Sequence, residues 1–200
     1  LSGQVNYVLE GNLNYTGAVI TWLKKEVGLL RTDAESEQLA RQAHPGDRTY
    51  FVPAFTGLGA PYWDSEATGL LTGITRTTGK AEIVRACLDS IAYQITDLLE
   101  CMGRDAALPL AELRVDGGPT ANRYLMQRQS DLACLPLAVP AVQELSALGA
   151  ARAAAQGAGL CACKDFGRPA YTRYQPRMEE AERRALYGGW QDAVRRTLYH

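Results

Sequence analysis

The sequence predicts an α/β domain in which helices cover both faces of a sheet. Short runs of branched and aromatic residues alternate with longer stretches whose apolar residues recur every three or four positions. The 200-residue chain is 46% hydrophobic, which is enough to build the core of one large domain. We find no internal repeat and no low-complexity tract.

The expected strands are short runs of branched and aromatic residues between turn formers. They lie at 4–11, 49–55, 70–75, 113–115 and 135–139. The glycine- and proline-rich segment 56–68 is predicted to be a shaped loop. Because such a connection also permits a hairpin, the pattern leaves open whether the two strands beside it pair antiparallel.

The expected helices share apolar residues at helical spacing. They cover 16–30, 80–103, 119–132, 146–158 and 179–198. A further short helix should begin at Thr32-Asp33-Ala34-Glu35, whose Thr-x-x-Glu spacing is typical of a capping box. The alanine-rich helix 146–158 has so little side-chain bulk that we expect it to pack closely against another helix, although the helix propensity of alanine would also explain its composition.

The turn after strand 113–115 is the strongest candidate site. Asp116 and the pair Gly117-Gly118 follow the strand, and the next helix begins with Pro119. A helix N-terminus presents unpaired N–H groups and favours negative charge, and glycines remove side chains that would keep a phosphate away. Asn122 could place an amide beside a ligand. The segment is therefore either a nucleotide cradle or a tight turn without a ligand.

Other phosphate-binding and catalytic motifs are missing. Gly79-Lys80 lacks both the earlier glycine and the following Ser or Thr of a P-loop. Gly57-Leu58-Gly59 precedes Pro61 rather than a helix, so it is not a dinucleotide fingerprint. With two histidines in the chain, no Ser/His/Asp or Cys/His set is supported. We therefore predict no catalytic residue here.

Two further groups have structural explanations. Asp64 and Glu66 could form an acid pair, but carboxylates beside turns are more often solvated or capping. Cys161 and Cys163 lack the two-residue spacing of zinc ligands, so we predict no metal ligand. The odd number of cysteines, 5, favours reduced thiols.

Charge and hydropathy limit the partners. The 21 basic and 22 acidic residues leave a formal charge of −1, so we expect no binding to nucleic acid or anionic lipid. No apolar stretch is long enough to cross a membrane, and the first residues do not form a secretory signal. We expect a soluble, cytoplasmic protein.

Five stretches together resemble, in order, the second half of the FGGY carbohydrate kinases. They are VNYVLEGNLNYTGAVITWL, YFVPAFTGLGAPYWDSEATGLLTGITR, EIVRACLDSIAYQITDLLECM, LRVDGGPTANRYLMQRQSDL and ELSALGAARAAAQGAG. The resemblance is strong over 4–160 and loose over 161–200. VLEG and GLGAPYWD are most similar to the members that phosphorylate glycerol. Because the chain opens on Leu1 and enters strand-like residues at once, we expect it to be part of a longer enzyme.

The resemblance implies an actin-like ATPase (ribonuclease H-like) fold with a central mixed sheet and an incomplete second lobe. Residues 1–163 would form the nucleotide-side C-terminal lobe, and 164–200 an extension whose terminal helix packs on that lobe. The implied enzyme is a homo-oligomer that uses ATP and Mg²⁺ to phosphorylate glycerol. Another sugar kinase of the family, such as a xylulokinase, or a non-catalytic module that associates with itself, stays open.

The resemblance also assigns roles to residues. It places Gly118 and Asn122 in contact with the nucleotide, with Gly117 beside them, and makes Gly17 a further contact. Thr21 stands where the family commonly has Gln, so that contact is altered. The catalytic Asp and the Mg²⁺ ligands are expected upstream of Leu1. The chain alone is therefore expected to be inactive and to bind ATP weakly.

Overall fold

Helices and short strands alternate along the computed structural model, which describes residues 5, 10–106, 109–142, 144–160 and 170–198. In chain order the elements are α1 (Gly17–Lys25), α2 (Glu35–Gln42), β1 (Tyr50–Val52), β2 (Leu70–Thr72), α3 (Lys80–Ala106), β3 (Leu113–Arg114), a 3₁₀ helix (Gly118–Ala121), α4 (Arg123–Ala133), β4 (Leu137–Pro140), α5 (Leu145–Gly157), β5 (Tyr171–Tyr174) and α6 (Glu180–Leu198). The predicted α/β class is confirmed. Most of the predicted strand 4–11 lies outside the described residues.

The described strands form two small sheets. β1 and β2 pair antiparallel, with Phe51 opposite Leu71, so the hairpin alternative applies to this pair. β4 lies between β3 and β5 and pairs parallel with the first and antiparallel with the second, which makes this sheet mixed. The sequence analysis missed β5, whose residues Tyr-Thr-Arg-Tyr are only partly apolar.

The long helix α3 is the centre of the core. Its apolar spacing places Leu88 and Ile91 in one buried cluster together with residues of β1, α4 and α6. Val84 and Cys87 lie in a second buried cluster with residues of α1 and β1. Since α2 and α4 also pack on α3, this helix positions two of the elements that line the candidate site.

Helix α6 shares the main core. Trp190 is fully buried, and its ring stacks on Tyr93 of α3 with centroids 5.2 Å apart. Gly189 is required by close packing, because a Cβ there would lie 2.2 Å from the Tyr50 hydroxyl of β1. The division of the chain at residue 163 stays a prediction.

A buried carboxylate ties α3 to α6 and to the loop 56–68. Asp97 is 5% exposed and accepts hydrogen bonds from the Tyr62 hydroxyl at 2.8 Å, the Tyr187 hydroxyl at 2.6 Å and the Trp190 indole N–H at 2.8 Å. Burial raises the pKa of Asp97, and the three hydrogen bonds offset only part of this rise. The loop 56–68 is irregular, as predicted, and Tyr62 anchors it.

Two predicted helix termini are wrong. α1 ends at Lys25 rather than near residue 30, because Gly28 adopts a φ of +72° that ends the helix although apolar spacing continues. The Thr32 side chain does not cap α2. Instead, the Glu35 carboxylate accepts a hydrogen bond from the Arg31 N–H at 2.7 Å.

The alanine-rich helix α5 does not show the tight packing that its composition predicts. It has no buried residue among those described. The physical reason is that alanine and glycine permit two helices to approach closely but bury too little apolar area to enforce the contact.

Candidate functional site

The turn between β3 and the 3₁₀ helix has a conformation that depends on glycine. Gly117 has φ +94° and ψ 175°, a region that is essentially restricted to glycine. The Thr120 N–H and hydroxyl both donate to the Gly117 carbonyl, at 3.1 and 2.7 Å. A Cβ added at Gly117 or Gly118 would meet no atom within 4 Å, so the space beside this pair is open.

Asn122 separates the 3₁₀ helix from α4, which corrects the prediction of one continuous helix over 119–132. Its backbone is extended, and its Oδ1 accepts a hydrogen bond from the Leu125 N–H at 3.0 Å, as an N-cap residue does. Its Nδ2 donates to the Ser36 hydroxyl of α2 at 3.1 Å. The amide is therefore fixed by two structural bonds, each of which leaves one donor or acceptor position available.

The predicted residues of α1 face the same space. Gly17 begins α1, and a Cβ on it would meet no atom within 4 Å. Thr21 lies one turn further along the helix and is exposed. These two residues, more than 90 positions before Gly118 in the chain, reach it only through the tertiary fold.

These residues meet at one cavity of about 450 Å³, here called the glycine cavity. Four of the five predicted site residues line it: Gly17, Thr21, Gly118 and Asn122. Gly117 does not line it but shapes the turn that leads to Gly118. The structure thus gathers the predicted residues in one place, and their contact with a nucleotide stays a prediction.

The rest of the lining was missed by sequence analysis. Its apolar members are Ile20, Ala34, Leu88, Pro119, Ala121 and Leu125, and its polar members are Asp33, Ser36 and Glu37. Residues 33–37 carry no motif that signals a binding site. They reach the cavity because α2 packs against α3 and α4, a relationship that local sequence does not encode.

The charges at the glycine cavity are acidic, and both carboxylates are paired. Asp33 accepts a hydrogen bond from the Lys24 ammonium at 2.5 Å. Glu37 forms an ion pair with Arg41 at 2.9 Å and accepts the Arg123 N–H at the start of α4, also at 2.9 Å. No lysine or arginine lines this cavity within the described part of the chain. The interior therefore suits an uncharged group better than a polyanion.

The loop 56–68 does not hold an acid pair. The Asp64 carboxylate accepts the backbone N–H groups of Glu66 and Ala67 at 2.9 and 3.0 Å, so it stabilises a turn. Trp63 is 80% exposed. Neither residue lines the glycine cavity.

The cysteines provide no metal site within the described ranges. Cys87, Cys101 and Cys134 are free thiols, and burial raises the pKa of Cys87. Cys161 and Cys163 lie outside the described residues. Between residues 10 and 198, gaps excepted, no group of three His, Cys, Asp or Glu side chains is arranged to hold a metal ion. None of the described helices is both long and apolar enough to span a bilayer.

Comparison with known sequences identifies close relatives. A family model described as the C-terminal domain of the FGGY family of carbohydrate kinases matches residues 2–158. The chain is 47% identical to a glycerol kinase of Rhodospirillum centenum, over 98% of this chain and 40% of that protein. It is 42% identical to a glycerol kinase of Thermus thermophilus, over 99% of this chain and 40% of that protein. The chain thus spans about 40% of the length of these relatives.

Solved structures share the fold. Plasmodium falciparum glycerol kinase, crystallised with ADP, matches with a TM-score of 0.82 and 31% identity, over 92% of this chain and 37% of that one. A xylulose kinase from Lactobacillus acidophilus matches with a TM-score of 0.75 and 24% identity, over 91% of this chain and 38% of that one. The second likeness concerns the fold alone.

Proposed function

Because this chain belongs to the FGGY family of carbohydrate kinases and has their actin-like ATPase fold, we propose that it forms the nucleotide-binding side of an ATP-dependent glycerol kinase. The complete enzyme would transfer the γ-phosphoryl group of ATP to a glycerol hydroxyl. The observation that carries the proposal is the glycine cavity, where residues of α1 and of the 3₁₀ turn meet although they are far apart in sequence.

The glycine cavity fits the adenosine end of a nucleotide. Its volume of about 450 Å³ lies within the range of roughly 300–1,000 Å³ that is usual for small-molecule sites. Ile20, Leu88 and Leu125 supply apolar surface for the faces of a purine, and glycines at 17 and 118 leave room for it.

The charges favour one orientation of the nucleotide. Asp33 and Glu37 line the cavity, and their basic partners Lys24 and Arg41 do not, so the described lining offers no cation to bind triphosphate oxygens in its interior. We propose that the base and ribose lie inside and that the phosphates point outward past Gly118. Asn122 and Thr21 would offer hydrogen bonds to the base or ribose.

The transfer step depends on groups outside these 200 residues. We assign no catalytic residue and no metal ligand to this chain, and Mg²⁺ enters the proposal only as the ion that accompanies ATP. In phosphoryl transfer, positioning and charge neutralisation supply most of the catalysis. The role of this chain is to bind and orient the adenosine end, and we expect its isolated affinity for ADP to be about millimolar.

The direct experiment is a calorimetric titration of the chain with ADP. Gly118→Val should abolish binding, because the new side chain enters the glycine cavity. Gly103→Val on α3 is the matched control, since a Cβ there also meets no atom within 4 Å but the residue lies outside the cavity. Equal ADP binding by both variants would reject the site.

A chimaera tests the enzyme assignment. The matched 40% of the Rhodospirillum centenum glycerol kinase would be replaced by this chain, and phosphorylation of glycerol and xylulose measured. We expect turnover with glycerol in the chimaera, and none in its Gly118→Val version. A folded chimaera that binds ADP but never turns over glycerol would contradict the assignment.

Two alternatives lead to other outcomes. A different sugar kinase of the family would require preference for another substrate in a panel that includes xylulose and gluconate. A non-catalytic self-associating module is favoured by one observation, the exposure of α5. Light scattering that shows association independent of ADP, without nucleotide binding, would support that module.

A further inference from the structure

A second cavity of about 360 Å³ lies between α2, β1, α3, α4 and α6. Four arginines line it: Arg41, Arg48, Arg85 and Arg128. It shares no lining residue with the glycine cavity, although α2, α3 and α4 contribute to both. We call it the arginine cavity.

Two of these arginines are held in place by buried carboxylates. The Arg128 guanidinium donates to Asp89 at 2.7 Å, and the two side chains are 15% and 7% exposed. The Tyr124 hydroxyl donates to the other Asp89 oxygen at 2.8 Å. Arg85 donates to the Asp47 carboxylate at 3.3 Å. These bonds orient the guanidinium groups before any ligand arrives.

One donor at the arginine cavity is buried without a partner, and two hydroxyls that line the cavity make no hydrogen bond to a described residue. The Arg128 Nε is buried without a hydrogen bond. Tyr93 and Tyr50 line the cavity with 2% and 8% of their surface exposed, and neither hydroxyl bonds to another described residue. A buried polar atom without a partner, such as the Arg128 Nε, is uncommon in native proteins, and a bound ion or water is a frequent explanation.

One positive charge is also left over. Arg48 donates to the carbonyl oxygens of Pro45 and Asp47, both at 3.0 Å, and forms no ion pair with a described carboxylate. Arg41 is neutralised from outside the cavity by Glu37. With Arg85 and Arg128 on their own carboxylates, Arg48 is the arginine of the described lining without an ion pair; the Glu182 carboxylate also lines the cavity and forms no ion pair with it.

We propose that the arginine cavity binds a small oxyanion, with Arg48 supplying the unpaired charge and Tyr93 a hydroxyl donor. Guanidinium groups match the oxygens of phosphate and carboxylate, and phenol hydroxyls complete such a shell. Because one water takes roughly 30 Å³ in the liquid, a volume of about 360 Å³ has room for an oxyanion together with several waters. The anion is therefore either free or part of a small metabolite.

The test is a titration of the chain with inorganic phosphate, sulfate and acetate at constant ionic strength, with potassium chloride as reference. Phosphate or sulfate is expected to raise the melting temperature and to give a saturable calorimetric signal. An effect of acetate alone would assign the site to carboxylates. Effects equal to those of chloride would reject the proposal.

Two variants probe the cavity without breaking the buried pairs. Arg48→Gln removes the free charge, and Tyr93→Phe removes a hydroxyl that has no partner, so neither should prevent folding. Each is expected to weaken anion binding by about threefold to tenfold, as the loss of one hydrogen bond or charge contact predicts. Arg76→Gln, at an exposed arginine outside the cavity, should change nothing.

The Gly118→Val variant separates this proposal from the nucleotide site. If it abolishes the phosphate effect while Arg48→Gln and Tyr93→Phe preserve it, the anion occupies the glycine cavity and the present proposal fails. If ADP binding is lost but phosphate still acts through Arg48 and Tyr93, the arginine cavity is supported. The proposal does not depend on the identity of the nucleotide.

Discussion

The amide of Asn122 joins two helices that are remote in sequence: it caps α4 through Leu125 and donates to Ser36 of α2 at 3.1 Å. Ser36 is 1% exposed, and its hydroxyl donates a hydrogen bond to the Asp33 carbonyl oxygen. The geometry of the glycine cavity therefore depends on a short chain of hydrogen bonds from α4 to α2.

Substitutions at Asn122 should separate the stability contributed by the N-cap from that contributed by the hydrogen bond to Ser36. Asn122→Ala loses both and should cost about 1–2 kcal/mol, since loss of an N-cap alone costs roughly 0.5–2 kcal/mol. Asn122→Asp keeps a capping oxygen but loses the donor to Ser36, so its stability should lie between Ala and wild type. Denaturant unfolding measures both. Equal stability of the Ala and Asp variants would show that the cap contributes nothing.

The two adjacent glycines should respond differently to alanine. Gly117→Ala should destabilise the fold by about 1–3 kcal/mol, because its φ of +94° with ψ 175° is strained for any other residue. Gly118→Ala is the matched control: its Cβ meets open space, so we expect a change within about 0.5 kcal/mol. Similar unfolding free energies for the two variants would contradict the backbone argument.

Gln129 should be replaceable with a gain in stability. The side chain is 1% exposed, and neither its Oε1 nor its Nε2 has a partner among the described residues. Gln129→Leu removes two unsatisfied groups and should stabilise the fold by about 1–2 kcal/mol. Gln127→Leu, on the same helix, removes hydrogen bonds to Asp131 and Gln175 and should be neutral or destabilising. A loss of stability in the first variant would contradict the prediction that these two groups are unsatisfied.

Protonated Asp97 should contribute to the free energy of unfolding, and this contribution should fall as pH rises. Burial raises its pKa in the folded state, so protonation favours the folded form. This contribution is complete below the unfolded-state pKa and is lost as pH rises through the folded-state value. We expect the difference in unfolding free energy between wild type and Asp97→Asn to decrease from acidic toward neutral pH. A difference that increases over this range would refute the raised pKa.

The contribution of Glu82 to the free energy of unfolding should instead fall as pH is lowered. The backbone N–H groups of His44 and Gly79 hold its pKa below the usual range, at hydrogen-bond distances of 2.9 Å. Its contribution is therefore present above the unfolded-state pKa and is lost as pH falls through the folded-state value. Glu82→Gln should flatten the acid limb of the stability profile. An unchanged acid limb would show that these two bonds do not depend on charge.

Periodicity was sufficient to predict most of the helices, because burial on one face leaves a pattern in the sequence. It failed at α1, where Val27 and Leu30 continue the spacing but the backbone of Gly28 ends the helix. It missed β5, because the strand is held by its pairing with β4 and only half of its side chains are apolar. Local pattern does not contain that information.

From local pattern alone, the candidate site was predictable only where a motif marks it, whereas Gly17 and Thr21 were expected from the resemblance to the family. The turn at Gly117 and Gly118 has such a motif, since the adjacent glycines follow a strand. Ser36 and Glu37 have none, because they arrive through the packing of α2 on α4. The engagement of Asn122 in capping could also not be foreseen while one continuous helix was expected across it.

The adjacent glycines of α6 make this helix dependent on its surroundings. Gly188 and Gly189 each lower the intrinsic stability of the helix by about 1 kcal/mol relative to alanine. The Tyr50 hydroxyl nevertheless leaves no room for a side chain at Gly189. If the contacts of Gly189 with Tyr50 and of Trp190 with Tyr93 were lost, unwinding would begin at the centre of the helix rather than at its ends. The helical order of α6 therefore depends on an intact packing surface formed by β1 and α3.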